Sequence, residues 1–552
     1  MWQQVYDPVG SPVLSTFLAA LPVIVLLGAL GLFKIQAHIA ALLGLAAAVA
    51  TAIFVFHMPA EMAGKSAVLG ALYGLLPIGW IVVNVIFLYK LTLSTGRFQI
   101  LQDSVAGVTN DRRLQLLLVA FAFGAFFEGS SGFGTPVAVT GAILIGLGFS
   151  PLAASALSLI ANTAPVAFGA LGTPILGLQS VTGIDLNDLS MMIGRQLPFF
   201  SVIIPFWLIW AFAGFRRTLE VWPAVLVAGV AFAVPQYLVS NFHGPTLVDV
   251  VASITCILAL AGLLKVWRPK TIMLGTTKDS EFVSPEEADR RMIRHTHTRA
   301  QVLSAWVPWV ILAVTAFIWG LPSVKLWLNH LSNPQINIAG LHNLVQRVPP
   351  VAPVNAKPEA AAFAFSWLSA SGSGILLAAI LAAFAMRIGF GRVLKIYADT
   401  FYTVRFSLLT IAAMLALGYT TRYAGLDATM GLAFARSGAF YPFFGTLLGW
   451  LGVALTGSDT SSNILFGSLQ RITAQQLGIS PLLMAAANSS GGVMGKMIDA
   501  QSIVVASTAT NWFGHEGEIL RYVFFHSLAL ACLVGIFVTL QAYVPPFTHL
   551  VP

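Results

Sequence analysis

Glu128-Gly129-Ser130-Ser131-Gly132-Phe133-Gly134-Thr135-Pro136 interrupts an apolar run that extends over 114–149. An acid, three glycines, two serines and a proline within nine residues break a helix. Bilayer hydrocarbon offers no partner for the N–H and C=O groups so freed, so such a break must be buried in protein or line a water-filled cavity. Each arm on either side of the break is short for a crossing, and the pattern predicts a re-entrant hairpin.

The pattern recurs. Over 440–477 an apolar arm meets Thr456-Gly457-Ser458-Asp459-Thr460-Ser461-Ser462-Asn463 and then resumes. The first unit closes on Leu147-Gly148-Phe149-Ser150-Pro151-Leu152 and the second on Leu477-Gly478-Ile479-Ser480-Pro481-Leu482. Glu128 precedes Pro151 by 23 residues and Ser458 precedes Pro481 by 23, so the polar tips align without a gap and Asp459 falls one place beyond Glu128. After each proline the spacing from Asn162 to Gly169 equals that from Asn488 to Gly495, which extends the internal repeat and predicts an interruption at each asparagine.

Outside the repeat the chain is apolar as well. Of its 552 residues 57% are hydrophobic and 9% charged, against about 25% charged in soluble domains. Runs such as 14–33 and 38–56 contain enough uncharged residues to cross about 30 Å of hydrocarbon. The first lacks a basic flank before it and a small-residue cleavage pattern after it, and is read as a retained helix. Cys256 and Cys532 both lie in apolar runs, which leaves no metal cluster, redox pair or disulfide framework.

The net charge of +8 would suit nucleic acid, but the basic residues sit in short loops between apolar runs. The positive-inside rule accounts for them without a nucleic-acid partner. Lys34, the residues from Lys90 to Arg113, Arg216 and Arg217, and the stretches 265–299 and 387–405 are placed in the cytoplasm. This predicts an all-α polytopic membrane protein with about twelve transmembrane helices plus two re-entrant hairpins, 114–149 and 440–477. Six crossings precede the connector and six follow it, both termini lie outside, and the hairpins enter from opposite faces as an inverted repeat. The first half is 1–264, the connector 265–301 with a short helix over 285–294, and the second half 302–552 with an external loop at 321–364. Arg422, Arg436 and Arg471 fit this assignment poorly.

The candidate site lies at the breaks. Half-helix N-termini suit a carboxylate, and unwound carbonyls and acidic side chains suit a cation or a proton. A carboxylate at mid-bilayer is costly and rarely kept without a use, so Glu128 and Asp459 are the candidates for proton coupling. The substrate-binding candidates are Ser130, Ser131, Gly132, Asn162, Thr163, Thr456, Ser458, Thr460, Ser461, Asn463, Asn488, Ser489 and Lys496. Polar residues in membrane helices also bond neighbouring helices, and Lys496 could instead pair with Asp459 or Asp499. His38, at the start of a span, is the histidine to test for pH sensing, but it sits where interfacial residues do. Gly491, Gly495 and Lys496 do not complete a nucleotide-binding loop, because Ser490 and Met497 occupy the positions that need Gly and Ser or Thr. Neither a cofactor, a metal nor enzymatic catalysis is expected.

These residues resemble the bacterial L-lactate permease family, which also includes glycolate permeases. The resemblance is carried by Trp2-Gln3-Gln4 and Tyr6-Asp7-Pro8, by Gly124-Ala125-Phe126 with the first tip, by Asn162-Thr163-Ala164-Pro165-Val166-Ala167-Phe168-Gly169-Ala170, and by Gly194-Arg195-Gln196-Leu197-Pro198. Gly449-Trp450-Leu451-Gly452-Val453, the second tip and Gly495-Lys496-Met497-Ile498 add to it. It implies symport of L-lactate, glycolate or a related 2-hydroxy monocarboxylate with protons across the bacterial inner membrane. Composition and spacing by themselves reach only an anion-suited secondary transporter. The alternatives are a sodium-coupled carboxylate symporter and a membrane subunit of an ion-pumping decarboxylase. Homo-oligomerisation is left open. The stretches 278–299 and 323–358 match no familiar pattern.

Overall fold

The computed structural model describes the chain except residues 32, 34, 131, 133, 277–281, 291–296, 353–355 and 513–514. It is helical throughout its bulk. Among the described residues eight helices are long and apolar enough to cross a membrane, from Ala60–Ser94 to Glu516–Tyr543. Shorter apolar helices such as Pro12–Leu26, His38–Phe54 and Gly372–Ala385 lie among them.

Both polar stretches turn the chain back on itself. In the first hairpin the ingoing arm is Arg112–Ser130 and the return arm Thr135–Gly146. The ingoing arm is 19 residues long, enough by length to cross where a short arm was expected, and the whole arm is enclosed by protein. It is π-helical over Leu117–Phe123, a local widening often found at functional positions. In the second hairpin Tyr441–Thr456 meets Asp459–Leu477. Gly457 ends the first of these with φ 71° and Ser458 caps the next, its Oγ accepting from Ser461 N at 3.2 Å. The left-handed glycine and the serine N-cap together make a two-residue reversal.

The Ser-Pro pairs have a local reason too. Ser150 and Ser480 each cap the helix that follows, accepting from Ala153 N at 3.3 Å and Leu483 N at 3.2 Å, and the proline occupies a first-turn position that needs no N–H donor. Each repeat then runs through a broken helix into a 28-residue helix, Leu186–Ala213 in the first and Glu516–Tyr543 in the second. The repeats interlock reciprocally. Thr173–Thr182 of the first packs on Asp459–Leu477 of the second, and Ala500–Ala509 of the second packs on Thr135–Gly146 of the first.

The expected symmetry of the breaks fails at one point. The first helix stops at Ala161 and does not resume until Thr173, but the second continues through Asn488 to Gly495 and opens only at Lys496. Pro165 stands where the second repeat has Gly491, and proline removes a helical donor. Gly491 instead lets two helices close up: a Cβ there would lie 2.2 Å from Thr446 O, and one on Gly495 2.3 Å from Trp450 O. Such close approach of small residues holds membrane helices together.

The basic clusters gather on one face. Arg392 donates to Ser94 O at 2.7 Å, Arg97 to Ser304 O at 3.3 Å, and Arg112 to Leu274 O at 3.1 Å. Arg113 is not a solvated topology marker but fully buried, paired with Asp111 at 2.7 Å and Glu220 at 2.8 Å, and it anchors the base of the first hairpin. At the other face the 321–364 segment is folded, with the helix Pro322–Leu331 and strand Gln335–Asn337 paired to Ala362–Ala364. It holds the N-terminus through the pairing of Trp2 with Val345 and Gln3 with Gln346.

The connector therefore lies opposite the N-terminus. Six crossings before the connector would return it to the N-terminal side. Its helix is Pro285–Arg290; residues 291–294 of the expected span lie outside the described residues.

Candidate functional site

The first hairpin brings Glu128 and Ser130 into the protein interior, 5% and 1% exposed. Glu128 faces Asn162, where the first broken helix stops, and lies within electrostatic range of Lys496, Asp499 and Asp459. The two tips thus share one polar locus. Among its atoms, Ser130 Oγ and Asp459 Oδ1 are buried without a hydrogen-bond partner, and Glu128 Oε2 and the Asn162 amide have only each other, without full hydrogen-bond geometry. Buried polar groups are almost always paired, so their concentration at one place marks a site built for something it can release.

Asp459 opens the return arm of the second hairpin. Its Oδ2 accepts from Ser489 Oγ at 2.5 Å and Asn463 Nδ2 at 3.0 Å. Asn463 also donates to Pro174 O at 3.2 Å, in the first repeat, and accepts from Asn488 Nδ2 at 2.9 Å. Asn488 accepts in turn from Gln470 Nε2 at 3.1 Å, and Gln470 from Tyr441 at 2.7 Å. This chain fixes the Asp459 carboxyl while leaving one oxygen open.

Lys496 lies at the second break. Its Nζ donates to Gly457 O at 2.6 Å and stands 3.4 Å from Asp499 Oδ2, an ion pair without hydrogen-bond geometry. Asp499 is therefore its ion-pair partner, and Asp459 is not. The ammonium ties the break to the hairpin tip and is the cation nearest the open oxygens.

The expected residues do not all serve the locus. Thr163 Oγ1 donates to Ile160 O at 2.8 Å and Thr456 Oγ1 to Gly452 O at 2.7 Å, which satisfies both hydroxyls within their own helices. Ser458 is a cap. Thr460 turns its methyl toward Gly177, 3.1 Å from a Cβ placed there. Ser461 supplies the capped N–H. Gly132 holds φ 57° against Ala170. Ser131 lies outside the described residues. The assembled set is Glu128, Ser130, Asn162, Asp459, Asn463, Asn488, Ser489 and Lys496.

Two participants escaped the sequence reading. Asp249 is 2% exposed beside the first tip, and neither of its carboxyl oxygens has a hydrogen-bond partner. Its signal was an acid at the head of an uncharged run, 250–264. Gln196 accepts from Ser490 Oγ at 2.6 Å and donates to Gln541 at 3.2 Å, joining both 28-residue helices to the site. His38 stacks on Phe406 at 4.4 Å, away from the locus.

Comparison with known proteins agrees with this architecture. The L-lactate permease family model matches residues 15–545. The chain is 46% identical to the glycolate permease GlcA of Escherichia coli strain K12, over 98% of each chain. It is 45% identical to an L-lactate permease of Bacillus subtilis strain 168, over the full length of both. Among solved structures it is similar to Neisseria gonorrhoeae MtrF, with a TM-score of 0.44 at 13% identity over 86% of this chain and 82% of that one. This multi-pass membrane protein belongs to the L-lactate permease family.

Proposed function

We propose that the protein imports L-lactate, glycolate or a related 2-hydroxy monocarboxylate by proton symport across the bacterial inner membrane. The observation that carries the reading is the shared polar locus at Glu128, Asn162, Asp459 and Lys496, where open acceptors and donors meet a buried ammonium. The relatives are permeases for lactate and glycolate by name.

In this reading the substrate carboxylate takes the N–H and O–H groups of Asn162 and Ser130 and the field of Lys496. Asp459 or Glu128 carries the coupling proton, since a carboxyl can load and release one in a site that excludes water. Both hairpins are re-entrant, the first from the cytoplasm and the second from outside. Seven crossings precede the connector and five follow, twelve in all, with both termini outside. The halves 1–264 and 302–552 carry one hairpin each, and alternating access moves the hairpin-bearing core against the remaining helices.

Purified protein in liposomes is expected to exchange labelled lactate or glycolate without any added subunit. Absence of exchange in well-inserted protein overturns the carrier reading and favours a subunit of a larger enzyme.

A further inference from the structure

Arg422 and Arg471 sit badly with a scheme that places basic residues in the cytoplasm, and the structure shows what they share. Arg422 lies near the end of Phe390–Ala424, Arg471 lies on the return arm Asp459–Leu477, and Arg347 follows the cap strand Val345–Gln346. The Arg471 guanidinium lies within electrostatic range of Arg347, Arg422, Glu359 and Asp427, and Glu359 lies within range of all three arginines.

Their partners do not use up their donors. Arg347 Nε stands 2.9 Å from Glu359 Oε1 as an ion pair, and Arg422 Nη2 donates to Glu359 Oε2 at 3.0 Å. Burial pushes the Glu359 carboxyl up, but the two arginines outweigh it and hold that carboxyl below its usual range. Asp427 is occupied by Ser468 and by Ala428 N. Arg347 Nη2, Arg422 Nε and Arg471 Nε are buried with no hydrogen-bond partner, and the Arg347 side chain is 7% exposed. Two carboxylates facing three guanidiniums leave one positive charge, which matches a monoanion better than a dianion. Planar N–H forks fit carboxylate oxygens two at a time.

We propose that Arg347, Arg422 and Arg471 form a second carboxylate-binding site at the cap face, where a small monocarboxylate docks apart from the hairpin tips. Arg471 is twelve residues along its helix from Asp459, about 18 Å at 1.5 Å per residue, so one anion cannot occupy both places. The site joins the cap to a hairpin arm. Its role as an entry station rests on the carrier reading, whereas its existence does not.

The test is equilibrium binding of labelled L-lactate to the full chain in nanodiscs, with acetate, chloride and phosphate as competitors. Wild type is expected to bind two equivalents. Arg471→Gln should keep one and weaken the other at least about tenfold, and Asn162→Ala should remove the one that Arg471→Gln keeps. Acetate should displace lactate from the cap site where equal chloride or phosphate does not. If the central reading fails, a single equivalent remains that Arg471→Gln removes and Asn162→Ala leaves untouched. Two equivalents with unchanged affinity in Arg471→Gln overturn the proposal, as does displacement by chloride equal to that by acetate. Should the Gln variant not elute as a single species, Arg471→Lys and the wild-type competition series decide by the same criteria.

Discussion

Gly129 and Asp249 approach so closely that a Cβ on Gly129 would lie 2.7 Å from Cβ of Asp249. The helix beginning at Val248 thereby presses an acid against the first hairpin tip, and among the described residues the charged group within its electrostatic range is Glu128. Overpacking a closed contact costs about 1–3 kcal/mol, so Gly129→Ala should lower the melting temperature in detergent by several degrees. A melting temperature equal to wild type contradicts this close approach.

Asp249→Asn should behave in the opposite way. A buried carboxyl without a counter-ion or a hydrogen bond is costly to ionise, and the amide of the same shape removes that cost. Thermal stability is expected to stay the same or rise. A fall of several degrees would reveal a counter-ion.

Arg113 gives a contrasting case. It is fully buried with two acids on it, and removing one partner of a buried pair costs about 3–5 kcal/mol. Arg113→Met should therefore sharply reduce the yield of monodisperse protein. Wild-type yield and melting temperature would show that the hairpin base does not depend on this network.

The cap carries a pH signature. Because the Glu359 carboxyl is held below the ordinary value of 4.5, its ion pairs stabilise the folded state fully above that value, and the contribution is lost as pH falls through the depressed one. The difference in melting temperature between wild type and Glu359→Gln should stay constant from about pH 8 to 5 and shrink only in stronger acid. A difference that fades near neutral pH contradicts the assignment.

The local part of this architecture was legible in the residues. Ser150-Pro151 and Ser480-Pro481 are cap and first-turn signals that act within four residues, and Gly457-Ser458 marks a reversal for the same reason. What tertiary packing decides was not legible. Asn488 and Asn162 align, yet one sits inside a helix because Gly491 and Gly495 close onto the neighbouring Tyr441–Thr456, and the other ends a helix before Pro165. Asp249 was not singled out because nothing in its own segment shows that the chain there folds against Gly129. Arg113 looked like a topology marker because its partner Glu220 is remote in sequence.

The central claim is that the carboxyls at the two tips couple substrate to protons. It is tested most directly by uptake of labelled L-lactate into proteoliposomes under separately imposed pH and sodium gradients, with wild type, Asp459→Asn and Glu128→Gln. Wild type should accumulate substrate when the pH gradient is inward, lose accumulation with a protonophore and ignore sodium; at least one variant should still exchange lactate but no longer concentrate it. Accumulation driven by sodium alone, or full proton-driven accumulation in both variants, would contradict the account.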